Sequence, residues 1–263
     1  MSKIGFCFSG EGARGAVQAG IAFSLAQKGI NADFTIGSSS GAICSAGYAY
    51  LKSQGLADLW SGVNSLWDVF GFNWNFLWNT GILNQKPAEK YIQAAIRNTP
   101  ICESVISRLN VCKGVVEYVS NQNIPKEEFA EAVLSAFAIP GLVTARNGYI
   151  DGAFMVETPL QQAIDSGCTE IHVILGSPMK PSVWSIPTGL FKFASMFYRA
   201  FDLSLTEILI LDVFNYIKSG NNIPIHVYQP NTCLYSLLDF SQCAQGVQYG
   251  LENYAEFIEV GLI

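Results

Sequence analysis

Between an apolar run and a helix-forming stretch the chain reads Thr35-Ile36-Gly37-Ser38-Ser39-Ser40-Gly41-Ala42-Ile43. Gly-x-Ser-x-Gly in that setting is the pattern of a nucleophile elbow, a strained turn that lifts the central hydroxyl clear of a sheet. It puts Ser39 at the apex, flanked by Ser38 and Ser40. Gly37 and Gly41 are needed because a side chain at either would crowd so tight a bend. The helix that follows points its positive end at the serine oxygen and favours a developing alkoxide. Taken alone, the pattern also fits phosphate-binding or purely structural turns, so the neighbouring segments decide.

Those neighbours read as alternating strands and helices. Residues 4–8 form a short buried strand, Ser9 to Gly15 a glycine-rich loop, and a helix then runs to about Gln27, closed by Gly29. A second strand at residues 34–36 leads into the elbow. Two consecutive strand-helix units imply a parallel sheet with a right-handed crossover. Further along, the patterns predict a helix from Ser40 to about Lys52 and another from Lys86 to Asn98, with Pro87 in its first turn. A strand is expected over 111–119 and a helix over 125–137, broken at Ala138-Ile139-Pro140-Gly141. A brief strand then ends in an Asp-Gly turn at Asp151-Gly152-Ala153. A helix over 159–166, strands at 170–175 and 225–228, and a closing helix from Gln242 to about Val260 complete the reading. The length of 263 residues suits one α/β domain over 1–263.

Composition removes several function classes. Half of the residues are hydrophobic and 14% are charged, enough for a sizeable core. A net charge of −6 without a Lys/Arg cluster argues against a nucleic-acid partner and gives no attraction to anionic surfaces. The seven cysteines form an odd set without C-x-x-C or zinc-ligand spacing, which reads as reduced, mostly buried thiols. The first residues are too short an apolar run for a signal peptide. Residues 190–217 are apolar, but Lys192, Arg199, Asp202, Glu207 and Asp212 interrupt them too often for a bilayer span. Cytoplasmic residence is the expectation, with export lacking a cleavable signal left open.

A serine hydroxyl needs a base. The two histidines, His172 and His226, lie inside apolar strand patterns and read as structural. Asp151, at the end of a strand, is the better candidate; with an ordinary pKa of about 3.9 it needs desolvation or a very close hydroxyl to act as a base. Gly10, Glu11, Gly12, Ala13, Arg14 and Gly15, at a helix start, offer backbone N–H groups for an oxyanion. The same residues spell G-x-G-x-x-G, the alternative being a dinucleotide site; Asp33, however, precedes the second strand instead of following it. The segment from Trp60 through Trp67 and Trp74 to Trp78 carries four of the chain's 5 tryptophans. It is either a core wedge or the wall of an acyl-chain cleft able to lean into a membrane interface. The apolar stretch 190–217 is a second candidate wall.

Glycine-rich loop, Gly-x-Ser-x-Gly and Asp151-Gly152-Ala153, in that order and without a usable histidine, resemble the patatin-like phospholipase family. Ala138 to Gly141, Pro159 and the closing helix add to the likeness. The resemblance implies a three-layer α/β/α fold around a central, mainly parallel sheet and a Ser39–Asp151 dyad. It also implies oxyanion donors from the Gly10 to Gly15 loop, no metal or other cofactor, and hydrolysis of acyl esters in phospholipids, lysophospholipids or neutral lipids. Oligomeric state is not encoded in these motifs. Arg14 matches the family's basic position, and a solvated helix-start charge explains it equally well. Glu11 departs from the family, standing where another glycine is usual: facing the oxyanion it would oppose catalysis, facing solvent it would be harmless. Leu142-Val143-Thr144 and Glu157-Thr158 also depart from the usual pattern. The rival reading is a catalytically weak lipid- or partner-binding protein on the same fold.

Overall fold

The structure, a computed structural model, describes residues 2–156, 158–179 and 223–259, together with 200, 203, 204, 207, 208, 211, 212, 215 and 216. Most of the 190–217 stretch, and Glu157, lie outside the described residues; the described positions of 200–216 are helical.

Eleven strands and seven helices longer than a single 3-10 turn are described. In chain order they begin with β1 (Ile4–Phe8), α1 (Gly15–Gln27), β2 (Phe34–Gly37), α2 (Ser40–Ser61), α3 (Leu66–Val69), β3 (Gly71–Phe72), β4 (Gly81–Asn84) and α4 (Lys86–Ile96). Next come β5 (Glu103–Asn110), β6 (Val115–Ser120), α5 (Lys126–Ala136), β7 (Gly141–Val143), β8 (Tyr149–Asp151) and α6 (Leu160–Asp165). The chain closes with β9 (Glu170–Ile174), β10 (Ile225–Pro230), α7 (Cys243–Glu252) and β11 (Tyr254–Glu259). The main sheet runs β11-β10-β9-β1-β2-β5-β6, with β8 also on β5. Its centre, β10 to β5, is parallel, and β11, β6 and β8 are antiparallel additions. β3, β4 and β7 form a small second sheet.

Strand alternation sorts side chains into two cores. Phe6 and Phe8 of β1 join one cluster with residues of α1, α2, α5 and α7, while Cys7 between them joins the other with Leu160 and Ala163 of α6. Apolar helical layers therefore cover both faces of the sheet, the α/β/α arrangement expected. α1 and α7 cross so closely that a Cβ on Gly20 would lie 2.1 Å from the Val247 carbonyl oxygen, and one on Gly250 equally close to that of Val17.

Three expectations are corrected. The strand placed at 111–119 is a turn through Gly114 (φ 67°) followed by β6, and its partner β5 was not anticipated. The elbow helix does break at Lys52 (φ 63°, ψ 177°) but resumes to Ser61. The closing helix stops at Glu252, and the chain turns back as β11 to pair with β10, because edge pairing outweighs the weak helical pattern of 254–259.

Candidate active site

The elbow is built on contacts only glycine allows. A Cβ on Gly37 would fall 2.1 Å from the Gly41 carbonyl oxygen, and one on Gly41 2.3 Å from that of Phe8. Ser39 between them holds φ 52°, ψ −127°, a strained backbone for a residue with a side chain. The three serine hydroxyls then divide. Ser38 Oγ donates to the Val156 carbonyl (2.6 Å) and meets Ser107 Oγ (2.5 Å), and Ser40 Oγ accepts the Glu11 amide (2.9 Å). The Ser39 hydroxyl is near enough to Asp151 to exert a lowering influence on its carboxyl pKa.

Strand pairing explains how Asp151 arrives there. One edge of β5 pairs with β6 over Val105 to Asn110, so β2 and β8 share the other. β2 covers it as far as Ile106, opposite Gly37, and β8 takes over with Asp151 opposite Arg108. Asp151 is thereby set down where the elbow leaves the sheet. Its amide donates to the Ala138 carbonyl (3.1 Å), and its Oδ1 accepts the Ala153 amide (2.9 Å). The carboxyl is fully buried, and Oδ2 makes no hydrogen bond of ordinary geometry. Burial pushes its pKa up to about 7, against the lowering influence of the Ser39 hydroxyl and the Ala153 amide.

Gly10 locks the loop to both motifs. A Cβ there would meet Ser39 Cβ at 2.9 Å and Ala153 Cβ at 3.0 Å, so three motifs remote in sequence touch at one point. Gly152 likewise has no room for a side chain beside Ser107 Oγ (2.6 Å). Gly12 (φ 56°) lies against the Leu237 carbonyl, which accepts the Ala13 amide (2.7 Å). The loop is packed between Ser39 and Leu237. Asp33 accepts the Ile4 amide (2.9 Å) ahead of β2, so the dinucleotide reading falls away.

Glu11 takes neither orientation foreseen. Its carboxylate is buried and accepts Ser9 Oγ (2.6 Å), the Gly176 amide (2.7 Å) and Ser177 Oγ. The loop is pinned to the end of β9, and the Glu11 amide is occupied by Ser40. Arg14 is also buried, with Nε donating to the Tyr235 carbonyl (2.8 Å). Tyr235 and Leu237 thus cover the loop, in a stretch whose sequence carries no motif to announce it; Gly176 and Ser177 after β9 gave no signal either.

Of the aromatic candidates, Trp60 is buried with its ring against Gly15 and lines a cavity of about 210 Å³ with Ile43, Leu59, Val63, Val69 and Ile92. Ile43 lies one helical turn beyond Ser39. Trp67, Trp74 and Trp78 face solvent.

The histidines sit elsewhere, His172 in the middle of β9 and His226 near the start of β10. Glu170, His172 and His226 offer ligand atoms within 4.8 Å of one another, the one such group among the described residues. Their nitrogens already have partners in the chain: Glu170 and Tyr228 for His172, Glu170 and Glu256 for His226.

Comparison with curated proteins finds no match to this chain. A family model described as patatin-like phospholipase matches residues 6–164, a span that holds the glycine-rich loop, the elbow and Asp151-Gly152-Ala153. A match over more than half of the chain, on the sheet and helices that carry those three motifs, establishes that the chain belongs to the patatin-like phospholipase family.

Proposed function

We propose that the protein is a serine acyl hydrolase acting on lipid esters. Membership of the family implies lipid-hydrolase activity; the residue roles and the reaction course are our reading. Ser39 Oγ attacks the ester carbonyl carbon while Asp151 Oδ2 takes its proton. The tetrahedral intermediate collapses, the C–O bond to the alcohol breaks, and Asp151 returns the proton to the leaving oxygen. An acyl-serine remains. Water then attacks it, giving its proton to the same carboxylate, and the proton passes back to Ser39 as the fatty acid leaves. Oxyanion donation falls to the Gly10 to Gly15 loop. Among the described residues the Glu11 and Ala13 amides are already engaged, whereas the Gly12 amide makes no hydrogen bond, which favours Gly12 as donor.

The observation that carries this reading is the buried Asp151 carboxyl, one oxygen of which has no ordinary hydrogen-bond partner, near a serine of strained backbone, with burial raising its pKa. A carboxylate of ordinary pKa is a weak base for an alcohol; one lifted to about 7 is poised near neutrality. The apolar cavity behind Ile43 supports an acyl chain as the substrate's buried part. The test is a fluorophosphonate probe on the purified protein. Labelling that disappears in Ser39→Ala supports the enzyme. A folded wild-type protein that takes no label favours the rival, a lipid- or partner-binding protein without efficient turnover.

A further inference from the structure

The hairpin joining β3 to β4 projects an aromatic tip that the site does not use. Trp74 is 85%, Leu77 79% and Trp78 91% exposed, beside half-exposed Phe72 and Phe76. Isolated exposed apolar residues are ordinary, but a contiguous group of this size marks a contact surface. The rings form one platform: Phe72 meets Trp74 edge-on at 4.8 Å and Phe76 at 6.1 Å. No charged residue occurs between Asp68 and Lys86.

We infer that this tip is a membrane anchor that seats the protein on a zwitterionic bilayer surface, an inference that rests on the lipid-hydrolase reading. Tryptophans and a leucine carried among asparagines suit the headgroup boundary, where an amphipathic ring finds both phases. The backbone is prepared for it. Asn73 takes the Phe76 amide on its carbonyl (3.0 Å) and the Asn75 amide on its side chain (3.2 Å), and the Trp78 amide donates to the Asn75 carbonyl (2.9 Å). Few donors would therefore be stranded on leaving water. Charge selects the kind of membrane: an uncharged tip on a chain of net charge −6 gains nothing from anionic lipid and is repelled by much of it. The tip also connects to the site. β4 pairs with β7 through Gly81 and Gly141, and the strap leading into β7 takes the Asp151 amide on Ala138. Docking would bring that side of the molecule to the lipid.

Flotation with phosphatidylcholine vesicles tests this on the Ser39→Ala protein, so that no turnover is required and failure of the anchor is separable from failure of the hydrolase reading. Binding with a blue shift of tryptophan emission is expected. Trp74→Asn with Trp78→Asn should weaken partitioning by more than about tenfold, since burying one large apolar side chain is worth at least that factor. Leu77→Asn alone is a milder second variant, with unchanged circular dichroism and melting temperature as the folding control. Absence of vesicle binding, binding untouched by both variants, or binding that requires phosphatidylserine would overturn the proposal. So would a wild-type dimer that the variants convert to monomer without any affinity for vesicles, which assigns the tip to a second copy of the chain.

Discussion

At the carboxyl ends of β1 and β2, Asp151 keeps one buried oxygen outside any ordinary hydrogen bond, whereas in the middle of β9 both ring nitrogens of His172 are occupied. Burial acts on both groups in the same sense, against charge. It raises the Asp151 pKa to about 7 and, with the neighbouring His226, holds that of His172 well below the ordinary imidazole range despite Glu170. A perturbed pKa is therefore common to the two clusters and does not distinguish them. The unfilled lone pair does. The histidine cluster is saturated by Glu170, Tyr228, Glu256 and stacked rings 4.7 Å apart, and such a network fixes strands in place. The aspartate faces a strained serine with acceptor capacity left over.

Replacing Asp151 with Asn gives the largest expected effect. Ester hydrolysis should fall by about a thousandfold, the scale of a lost general base. Stability should move the other way. A carboxyl whose folded pKa lies above its unfolded value contributes stability that is complete below about pH 4 and is lost as pH rises through about 7. Removing the ionisable group relieves that loss, so at pH 8 the variant should exceed wild type by roughly 4 kcal/mol, the gap closing toward pH 4. Wild-type kcat/KM should climb with pH through about 7 and then level off. Urea melts and pH-rate profiles of the pair check all three statements. An active variant, or one no more stable at pH 8, would dissolve the contrast between the clusters.

Next in size is Glu11→Ala. It strands the Gly176 amide and the Ser9 and Ser177 hydroxyls in a buried place, and the loss should be roughly 3 kcal/mol. Because the same residue moors the loop behind Ser39, fluorophosphonate labelling should slow as well, by about tenfold or more if one oxyanion donor shifts. Glu11→Gln keeps the volume but turns an amide donor toward donors, and should lie between. Equal labelling in wild type and Glu11→Ala would mean that the loop holds its shape without the carboxylate.

Legibility followed the same division. Glycines punctuate β1, the loop, β2 and the elbow, so the first two strand-helix units, Ser39 and its surroundings could be read directly. Asp151 was legible because an Asp-Gly turn follows a strand pattern. β5 was hidden because its polar residues are buried: Ser104 and Ser107 are satisfied by Ser45 (2.8 Å) and Ser38 (2.5 Å) across the layers, a pairing with no local signature. The partners of Glu11, 165 and 166 positions away, were out of reach for the same reason. The tryptophans stood out as a group, yet packing against Gly15 and the surrounding core separates buried Trp60 from its exposed companions.

The smallest effect, and the sharpest check on the saturated cluster, is His172→Gln. A glutamine can keep one of the two hydrogen bonds, so the loss at pH 7.5 should be about 1 kcal/mol. The pH dependence carries more information. A histidine whose folded pKa is depressed adds stability that is present above its unfolded value of about 6.5 and is lost as pH falls, because the unfolded chain takes up a proton that the native state refuses. Wild type should therefore weaken below that pH more steeply than the variant, in the direction opposite to the Asp151 contribution. Hydrolysis should keep its rate within about twofold and its rise near pH 7, since His172 pairs with the middle of β1 and not with the loop that follows it. A variant that shifts the hydrolysis profile would show that the two clusters are coupled through β1 and β9, and the saturated network would then have to be counted among the groups that set the base.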